Sequence, residues 1–176
     1  LVITSPPYCT RIDYAVATMP ELAILGHHEN LSFDSLRRSM MGTSTVPKSV
    51  TAPGPDWGTT CNKTLSSIAN HHSVASSSYY YKSYTQYFEG LFNSVLEICR
   101  TMKPGGKSII VVQNSYYKEI VVDLATITEE MLVNAGGTPL QRHDFGANTL
   151  MSNINSRSRK YVDKKKVKES VIITLH

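Results

Sequence analysis

The sequence lacks any apolar run near the ~20 residues that a membrane-spanning helix requires, and it shows no signal peptide. It has only three cysteines, which are widely spaced and form no Cys-x-x-Cys pair. These absences argue against a membrane partner, a disulfide framework and a zinc finger, and they favour free thiols in a reducing, cytoplasmic compartment. The 176 residues have an ordinary apolar content and suffice for one domain with a real core.

The segment Ser5-Pro6-Pro7-Tyr8 is the most informative part of the chain. It follows the apolar run 1–4, which predicts the end of a buried strand. Because proline has no N–H to donate, the two prolines stop the strand and turn the chain outward. Open α/β sheets bind ligands at the carboxyl ends of their strands, so the segment is predicted to lie in a binding site.

The run Thr4-Ser5-Pro6-Pro7-Tyr8 resembles the catalytic motif of S-adenosylmethionine-dependent DNA amino-methyltransferases. The serine form of that motif is typical of cytosine-N4 enzymes, and the continuation Cys-Thr-Arg-Ile-Asp-Tyr resembles bacterial and archaeal members. The resemblance implies a class I (Rossmann-like) α/β methyltransferase sheet, S-adenosylmethionine as cofactor, and double-stranded DNA with a flipped target base as partner. It also implies a role in restriction-modification or a related defence system.

The resemblance assigns a role to each motif residue. The Ser5 hydroxyl and the Pro6 carbonyl accept hydrogen bonds from the target amine, Pro6 and Pro7 hold these acceptors rigidly, and Tyr8 stacks on the flipped base. Cytosine-C5 methyltransferases attack instead with a cysteine directly after a proline. Here Tyr8 follows Pro7, so Cys9 is interpreted as a packing residue.

Hydrophobic periodicity predicts the remaining elements. We predict strands at 107–113, near 140–145 and at 170–175, and helices at 19–26, 33–41, about 84–102 and about 119–134. The last two strands should pair antiparallel, as in the reversed-strand end of the methyltransferase sheet that the resemblance implies. Residues 1–176 are thus expected to form the catalytic, carboxyl-terminal part of one methyltransferase domain. The resemblance implies that residues 33–80 are an inserted variable region for the target base. Within it, 42–78 show few periodic apolar residues and are expected to carry few regular elements.

The cofactor site of the family has no counterpart in this sequence. The resemblance implies a Phe-x-Gly-x-Gly turn from a strand into a helix, but no such signature occurs. Gly105-Gly106 and Gly136-Gly137 are each predicted to lead from a helix into a strand. We expect that the cofactor-binding half either precedes Leu1 or belongs to a second chain. These residues alone should therefore bind S-adenosylmethionine weakly or not at all.

The formal net charge of +4 is modest for a nucleic-acid-binding protein, but the basic residues cluster. Arg37 and Arg38 form one candidate DNA-binding patch. The larger group consists of Arg157, Arg159, Lys160, Lys164, Lys165, Lys166 and Lys168. This run either follows DNA phosphates or forms a solvated hairpin. Trp57 either stacks on nucleic acid or anchors its loop to the core.

Other titratable residues point to no additional site. The neighbours in His27-His28 and in His71-His72 should diverge, whether in a strand or a helix, so we expect no metal site. Asp13 and Glu21 are general bases by residue type, but an amine that gains positive charge during attack can lose its proton to water afterwards.

Three functions remain open at this stage. The first is cytosine-N4 methylation of DNA. The second keeps the chemistry but acts on adenine N6 in DNA or on a guanine amine in RNA, where Asp or Asn is more common than Ser5. The third is a non-catalytic DNA-binding or assembly subunit that kept the fold and lost the cofactor site.

Overall fold

The computed structural model describes residues 1–9, 12–26, 32–147 and 167–176. The candidate DNA-binding residues Arg157, Arg159 and Lys160 lie outside the described residues, as does the pair His27-His28.

The described residues form a mixed α/β fold around one four-stranded sheet and one two-stranded hairpin. The strands are β1 (Val2–Thr4), β2 (Lys107–Gln113), β3 (Ser115–Tyr117), β4 (Ile120–Val122), β5 (Thr138–Ala147) and β6 (Val167–Leu175). The helices are α1 (Tyr14–Ala17), α2 (Met19–Gly26), α3 (Phe33–Ser39), α4 (Thr59–Ala69), α5 (Tyr81–Thr101) and α6 (Leu124–Asn134). A 3₁₀ turn covers Pro55–Trp57, and a π-helix covers Ser76–Tyr80.

The large sheet has the strand order β1-β2-β6-β5. Strand β1 runs parallel to β2, with Thr4 opposite Ile110, whereas β6 runs antiparallel to both β2 and β5. The predicted α/β class and the antiparallel pairing of the last two strands are therefore confirmed. Alternate residues of β2 and β6 are buried, among them Ile110 and Ile172, because the side chains of a strand point to opposite faces.

Helices α5 and α6 supply much of the core that supports the sheet. The predicted apolar stripe of α5 is buried at Tyr84, Phe88 and Val95, so Tyr84 is a core residue as expected. Leu96, also assigned to that stripe, is instead 40% exposed. Helix α6 packs against β2, β5 and β6 and also contacts α4 and α5, so one continuous core joins the helices to the sheet.

The prediction that residues 42–78 carry few regular elements is wrong, because α4 lies within them. Its Cys61, Leu65 and Ile68 are at most 1% exposed and belong to the main core. Serine and threonine occupy most of the other positions of α4, so its few apolar residues did not predict a helix. The α4 amino terminus is capped from α6, since the Thr60 N–H donates to the Glu130 carboxylate at 2.8 Å.

The predicted start of helix α6 at about residue 119 is also wrong. Residues 115–122 form the β3–β4 hairpin, with Tyr117 opposite Ile120, and the turn places Lys118 at a φ of 56°. The β-branched run Ile120-Val121-Val122 favours a strand. The helix begins at Leu124 because the Asp123 side chain accepts a hydrogen bond from the Thr126 N–H at 3.2 Å, which caps the helix.

Among the helices that the structure describes, none is both long enough and apolar enough to cross a lipid bilayer.

Candidate functional site

The motif Ser5-Pro6-Pro7-Tyr8 begins directly after β1, at the end where that parallel strand stops. Ser5 is exposed, whereas Pro6, Pro7 and Tyr8 are half-buried and the next residue, Cys9, is buried. The proline rings fix the backbone φ angles, so the segment is rigid before any ligand arrives. The arrangement presents a hydroxyl on the outside of a loop whose inner side contacts the core.

The second proline of the motif is held by helix α5. The Tyr87 hydroxyl donates a hydrogen bond to the Pro7 carbonyl at 2.6 Å. Burial raises the pKa of Tyr87 well above its ordinary value, so the phenol stays protonated and remains a donor. Gly42 lies against Pro7 with a φ of 82°, which explains why glycine occurs there: a side chain would be strained at that backbone angle.

The aromatic residue of the motif is held by strand β6. The Tyr8 hydroxyl donates to the Glu169 carboxylate at 3.0 Å. The pKa of Tyr8 is raised, first by burial and then by this hydrogen bond, while a hydrogen bond with the Ser5 side chain lowers it. Tyr8 is therefore neutral at physiological pH, and its ring is fixed at the hydroxyl end while part of the ring surface remains accessible.

Tyr87 and Glu169 were not predicted as partners of the motif. Tyr87 lies 80 residues from Pro7, and Glu169 lies 161 residues from Tyr8. Nothing in the local pattern around either residue distinguishes it from its neighbours. The packing of α5 brings Tyr87 to the motif, and the pairing of β6 brings Glu169 there.

A small cavity lies beneath the motif, between Cys9, Gly42 and the α5 residues Ser83 and Tyr87. Its volume of about 10 Å³ has room for about one water molecule. A nucleobase does not fit there. Any planar ligand of this motif must therefore bind on the outer side, over Ser5 and the accessible part of Tyr8.

The candidate DNA-binding residues of helix α3 differ in their surroundings. The Arg37 guanidinium pairs with the Asp13 carboxylate at 2.7 Å and also donates to Ser44 at 3.2 Å. The pKa of Asp13 is lowered because the hydrogen bonds from Arg37 and Ser44 outweigh the effect of burial. Asp13 is thus an ionised structural residue that also caps α1. Arg38 is exposed, and among the described residues it pairs along its own helix with Asp34, at 2.9 Å.

The three thiols are all free and buried. Burial raises the pKa of Cys9 far above its ordinary value and that of Cys61 to about 12. A protonated thiol is a poor nucleophile, so Cys9 is suited to packing rather than to covalent catalysis, which agrees with the interpretation from the sequence.

The glycine pairs do not fit a cofactor cradle. Gly105-Gly106 lies in the turn between α5 and β2, and Gly136-Gly137 follows α6 and leads into β5. A Cβ at Gly137 would lie 2.9 Å from the Leu132 carbonyl oxygen, and the Gly137 N–H donates to that carbonyl at 2.8 Å. The Gly136-Gly137 pair thus closes the end of α6. Among the described residues, no glycine-rich turn leads from a strand into a helix.

No family model matches this chain, and neither a curated protein nor a solved structure matches it.

Proposed function

We propose that this chain is the target-base part of a DNA amino-methyltransferase of the cytosine-N4 type. One observation carries the proposal: the exposed Ser5 hydroxyl lies at the carboxyl end of a parallel strand, on a proline pair held from two sides. Tyr87 holds the Pro7 carbonyl, and Glu169 holds the Tyr8 ring. A loop fixed in this way keeps its acceptors in place at no cost in reorganisation when the substrate binds.

The chemistry at the base follows from these acceptors. The lone pair of an exocyclic amine is delocalised into the ring, so the amine is a poor nucleophile. The Ser5 hydroxyl oxygen and the Pro6 carbonyl accept hydrogen bonds from the two N–H groups of the amine. These hydrogen bonds localise the lone pair of the amine and direct it away from the loop. Stacking on Tyr8 contributes about 1–3 kcal/mol per base. The base has to leave the duplex first, because its amine is inaccessible within the stack.

The sheet supports the same proposal. A parallel pair, β1-β2, is followed by a reversed strand, β6, as expected for the carboxyl-terminal half of a class I methyltransferase sheet. Strand β1 is at the edge, and its Ile3 is 67% exposed. Further parallel strands that carry the cofactor turn would add at this edge, either from an upstream segment or from a second chain. S-adenosylmethionine would be held there.

The proposal also implies a binding partner and a cellular compartment. Double-stranded DNA would contact the exposed Arg38 and the basic residues Arg157, Arg159 and Lys160, while Arg37 would position α3 through Asp13. The buried free thiols are consistent with a reducing, cytoplasmic setting, and site-specific modification in a defence system is the role that we propose.

A second candidate function is a non-catalytic DNA-binding subunit. It is favoured by the lack of a cofactor turn in the described part of the chain. The two candidates differ in whether methyl transfer occurs once a cofactor-binding segment is supplied.

The deciding experiment is transfer of a tritiated methyl group to duplex DNA, with the full polypeptide or with the chain supplied with its cofactor-binding partner. Digestion and mass spectrometry of the product then distinguish N4-methylcytosine from N6-methyladenine. Ser5→Ala should lower turnover by about 10²-fold with little change in DNA affinity. The matched control is Ser94→Ala, which changes an exposed serine whose hydroxyl donates within α5 to the Gly90 carbonyl. Unchanged turnover in Ser5→Ala would remove this residue from the mechanism.

Base capture is measured without the cofactor, by a fluorescent base analogue at the target position. Tyr8→Ala should reduce the flipping signal, because the stacking surface is lost. Tyr8→Phe keeps the ring and loses the hydroxyl that bonds to Glu169 and to the Ser5 side chain, so it should retain most of the signal. Equal signals from all three proteins would contradict the stacking role.

A further inference from the structure

Two histidines and a glutamate meet where the end of α4 reaches the β3–β4 hairpin. The His71 Nε2 lies 2.8 Å from the Glu119 carboxylate. The His72 ring stacks on the His71 ring, with centroids 4.4 Å apart and planes 27° apart. One ligand atom from each of these three residues lies within 4.8 Å of the others. The expectation that His71 and His72 point apart is therefore wrong.

Two unusual backbone positions bring the three residues together. Ala75 and Lys118, at φ values of 63° and 56°, are the two non-glycine residues with a positive φ in the described part of the chain. Ala75 leads into the π-helix at 76–80, and Lys118 directly precedes Glu119. Strained residues and π-helical turns are both enriched at functional sites. Here both occur beside the same cluster.

The buried member of the cluster is oriented by a hydrogen-bond network. The His71 side chain is only 5% exposed, and its Nδ1 lies 2.8 Å from the Ser73 hydroxyl and 3.0 Å from the Ser73 N–H. The Ser73 hydroxyl also bonds to Ser76 at 2.8 Å and to Tyr117 at 3.0 Å. The network fixes the His71 ring so that Nε2 faces Glu119, while His72 and Glu119 remain exposed and free to adjust.

We propose that His71, His72 and Glu119 bind a divalent transition-metal ion of the zinc class. Two imidazoles and one carboxylate are a ligand set that Zn²⁺ uses, with bonds of about 2.0–2.2 Å. Two ligand atoms on a tetrahedral ion with such bonds lie about 3.4 Å apart. The His71 Nε2 and the Glu119 carboxylate, now 2.8 Å apart, therefore have to separate by about 0.6 Å to admit the ion, and the exposed Glu119 side chain makes that movement. The exposed His72 side chain rotates to supply the third ligand, and a water molecule completes the tetrahedron.

The protons and charges are consistent with this ligand set. Metal binding at Nε2 places the ring proton of His71 on Nδ1, where the Ser73 hydroxyl oxygen accepts it and the bond from the Ser73 N–H is given up. Glu119 supplies the carboxylate of the set, and its side chain is 49% exposed, so it can turn toward the ion.

The ion would fasten two parts of the chain. His71 and His72 follow α4, whereas Glu119 lies on the hairpin, 48 residues from His71. A metal bond across this junction would hold the π-helix, which leads into α5, against the hairpin. The site is thus structural in its position and is separate from the motif at residues 5–8.

The test is titration of the metal-free full chain, with any affinity tag removed, by Zn²⁺ in a calorimeter. We expect one ion per chain with micromolar or tighter affinity, and visible d–d absorption of a tetrahedral site when Co²⁺ replaces Zn²⁺. His72→Ala and Glu119→Gln should each weaken binding by at least about tenfold, since even loss of an outer hydrogen-bond partner costs 10–100-fold. Both side chains are exposed, so neither change threatens the fold.

Two controls separate this site from other histidines. His143→Ala changes an exposed histidine on β5, and a variant with both His27→Ala and His28→Ala changes the other adjacent pair. Both variants should retain the zinc affinity of the unaltered chain. The proposal is overturned if the unaltered chain binds no zinc, in which case His71 and Glu119 form only a hydrogen-bonded pair, or if His72→Ala binds zinc as tightly as the unaltered chain.

Discussion

Replacing Tyr87 by phenylalanine removes one hydroxyl and tests whether α5 holds the proline motif. The hydroxyl donates to the Pro7 carbonyl at 2.6 Å, and no other described side chain donates to that carbonyl. The ring itself is 4% exposed and packs in the core, so phenylalanine keeps the apolar contacts. The variant therefore isolates the hydrogen bond.

The expected cost is about 1 kcal/mol of unfolding free energy. A typical hydrogen bond contributes a net ~0.5–1.5 kcal/mol to stability, and this range applies here. A buried acceptor left without any partner would cost about 1–3 kcal/mol. Pro7 is only half-buried, and the adjoining cavity of about 10 Å³ has room for a water molecule. A water molecule can then bond to the Pro7 carbonyl in place of the Tyr87 hydroxyl. The loss of unfolding free energy therefore stays in the lower of these two ranges. For a chain of this size the melting temperature should fall by roughly 2–4 °C.

Urea unfolding of both proteins measures this difference directly. The matched control is Tyr81→Phe on the same helix, because the Tyr81 hydroxyl makes no hydrogen bond within the residues that the structure describes. We expect the control to stay within about 0.5 kcal/mol of the unaltered chain. Equal stability of Tyr87→Phe and Tyr81→Phe would refute the idea that α5 fixes the motif through this bond.

Three further changes test other parts of the fold. Leu65→Ala should cost about 2–5 kcal/mol in urea unfolding, because this α4 side chain is 1% exposed; a cost below about 1 kcal/mol would mean that α4 is not part of the core. Gly58→Ala should cost about 1–3 kcal/mol, since Gly58 has a φ of 88° and a Cβ there would clash with the Glu130 carboxylate; unchanged thermal melting would contradict that geometry. The pKa of Asp144 is lowered, chiefly by its hydrogen bond from Arg142, so its stabilisation is present above a pH of about 4 and is lost as the pH falls toward the lowered value. Asp144→Asn should therefore be less stable than the unaltered chain at neutral pH, and the difference should close in acid unfolding curves below pH ~4; a difference that is constant with pH would exclude this cause.

Elements with a strong apolar pattern were predictable from the sequence. Strand β2 has the predicted bounds, 107–113, because its run of apolar residues ends at polar ones. Helix α2 begins and ends where predicted, at Met19 and Gly26, and α5 lies where its stripe placed it. Trp57 is 5% exposed and belongs to the core, so of the two interpretations the anchoring one is confirmed.

Elements that depend on distant contacts were not predictable. Helix α4 contains few apolar residues, and its amino terminus is capped by Glu130, which lies 70 residues away from Thr60. The hairpin at 115–122 interrupts what reads as one helical segment, because Asp123 caps the helix later than the apolar spacing implies. The spacing of apolar residues within a segment therefore indicates neither the Glu130 cap of α4 nor the hairpin at 115–122.

The candidate site, like the fold, has features that local sequence predicts and features that depend on distant contacts. The motif at residues 5–8 and its position after a strand follow from local sequence alone. Its supports from Tyr87 and Glu169, and the meeting of His71 with Glu119, come from elements that approach only in the folded chain. Residue types suggested histidine pairs, but the carboxylate that completes the set was visible only in three dimensions.

The strand order of the large sheet implies an order of folding steps during synthesis. Strand β6 occupies an inner place between β2 and β5, although it is translated after both. Until the ribosome has released β6, the edge of β2 is unsatisfied and Tyr8 has no acceptor for its hydroxyl. Pairings so distant along the polypeptide form slowly, and exposed strand edges invite aggregation. We therefore expect a chaperone to bind this protein during synthesis, and the proline motif to become rigid only in the last step of folding.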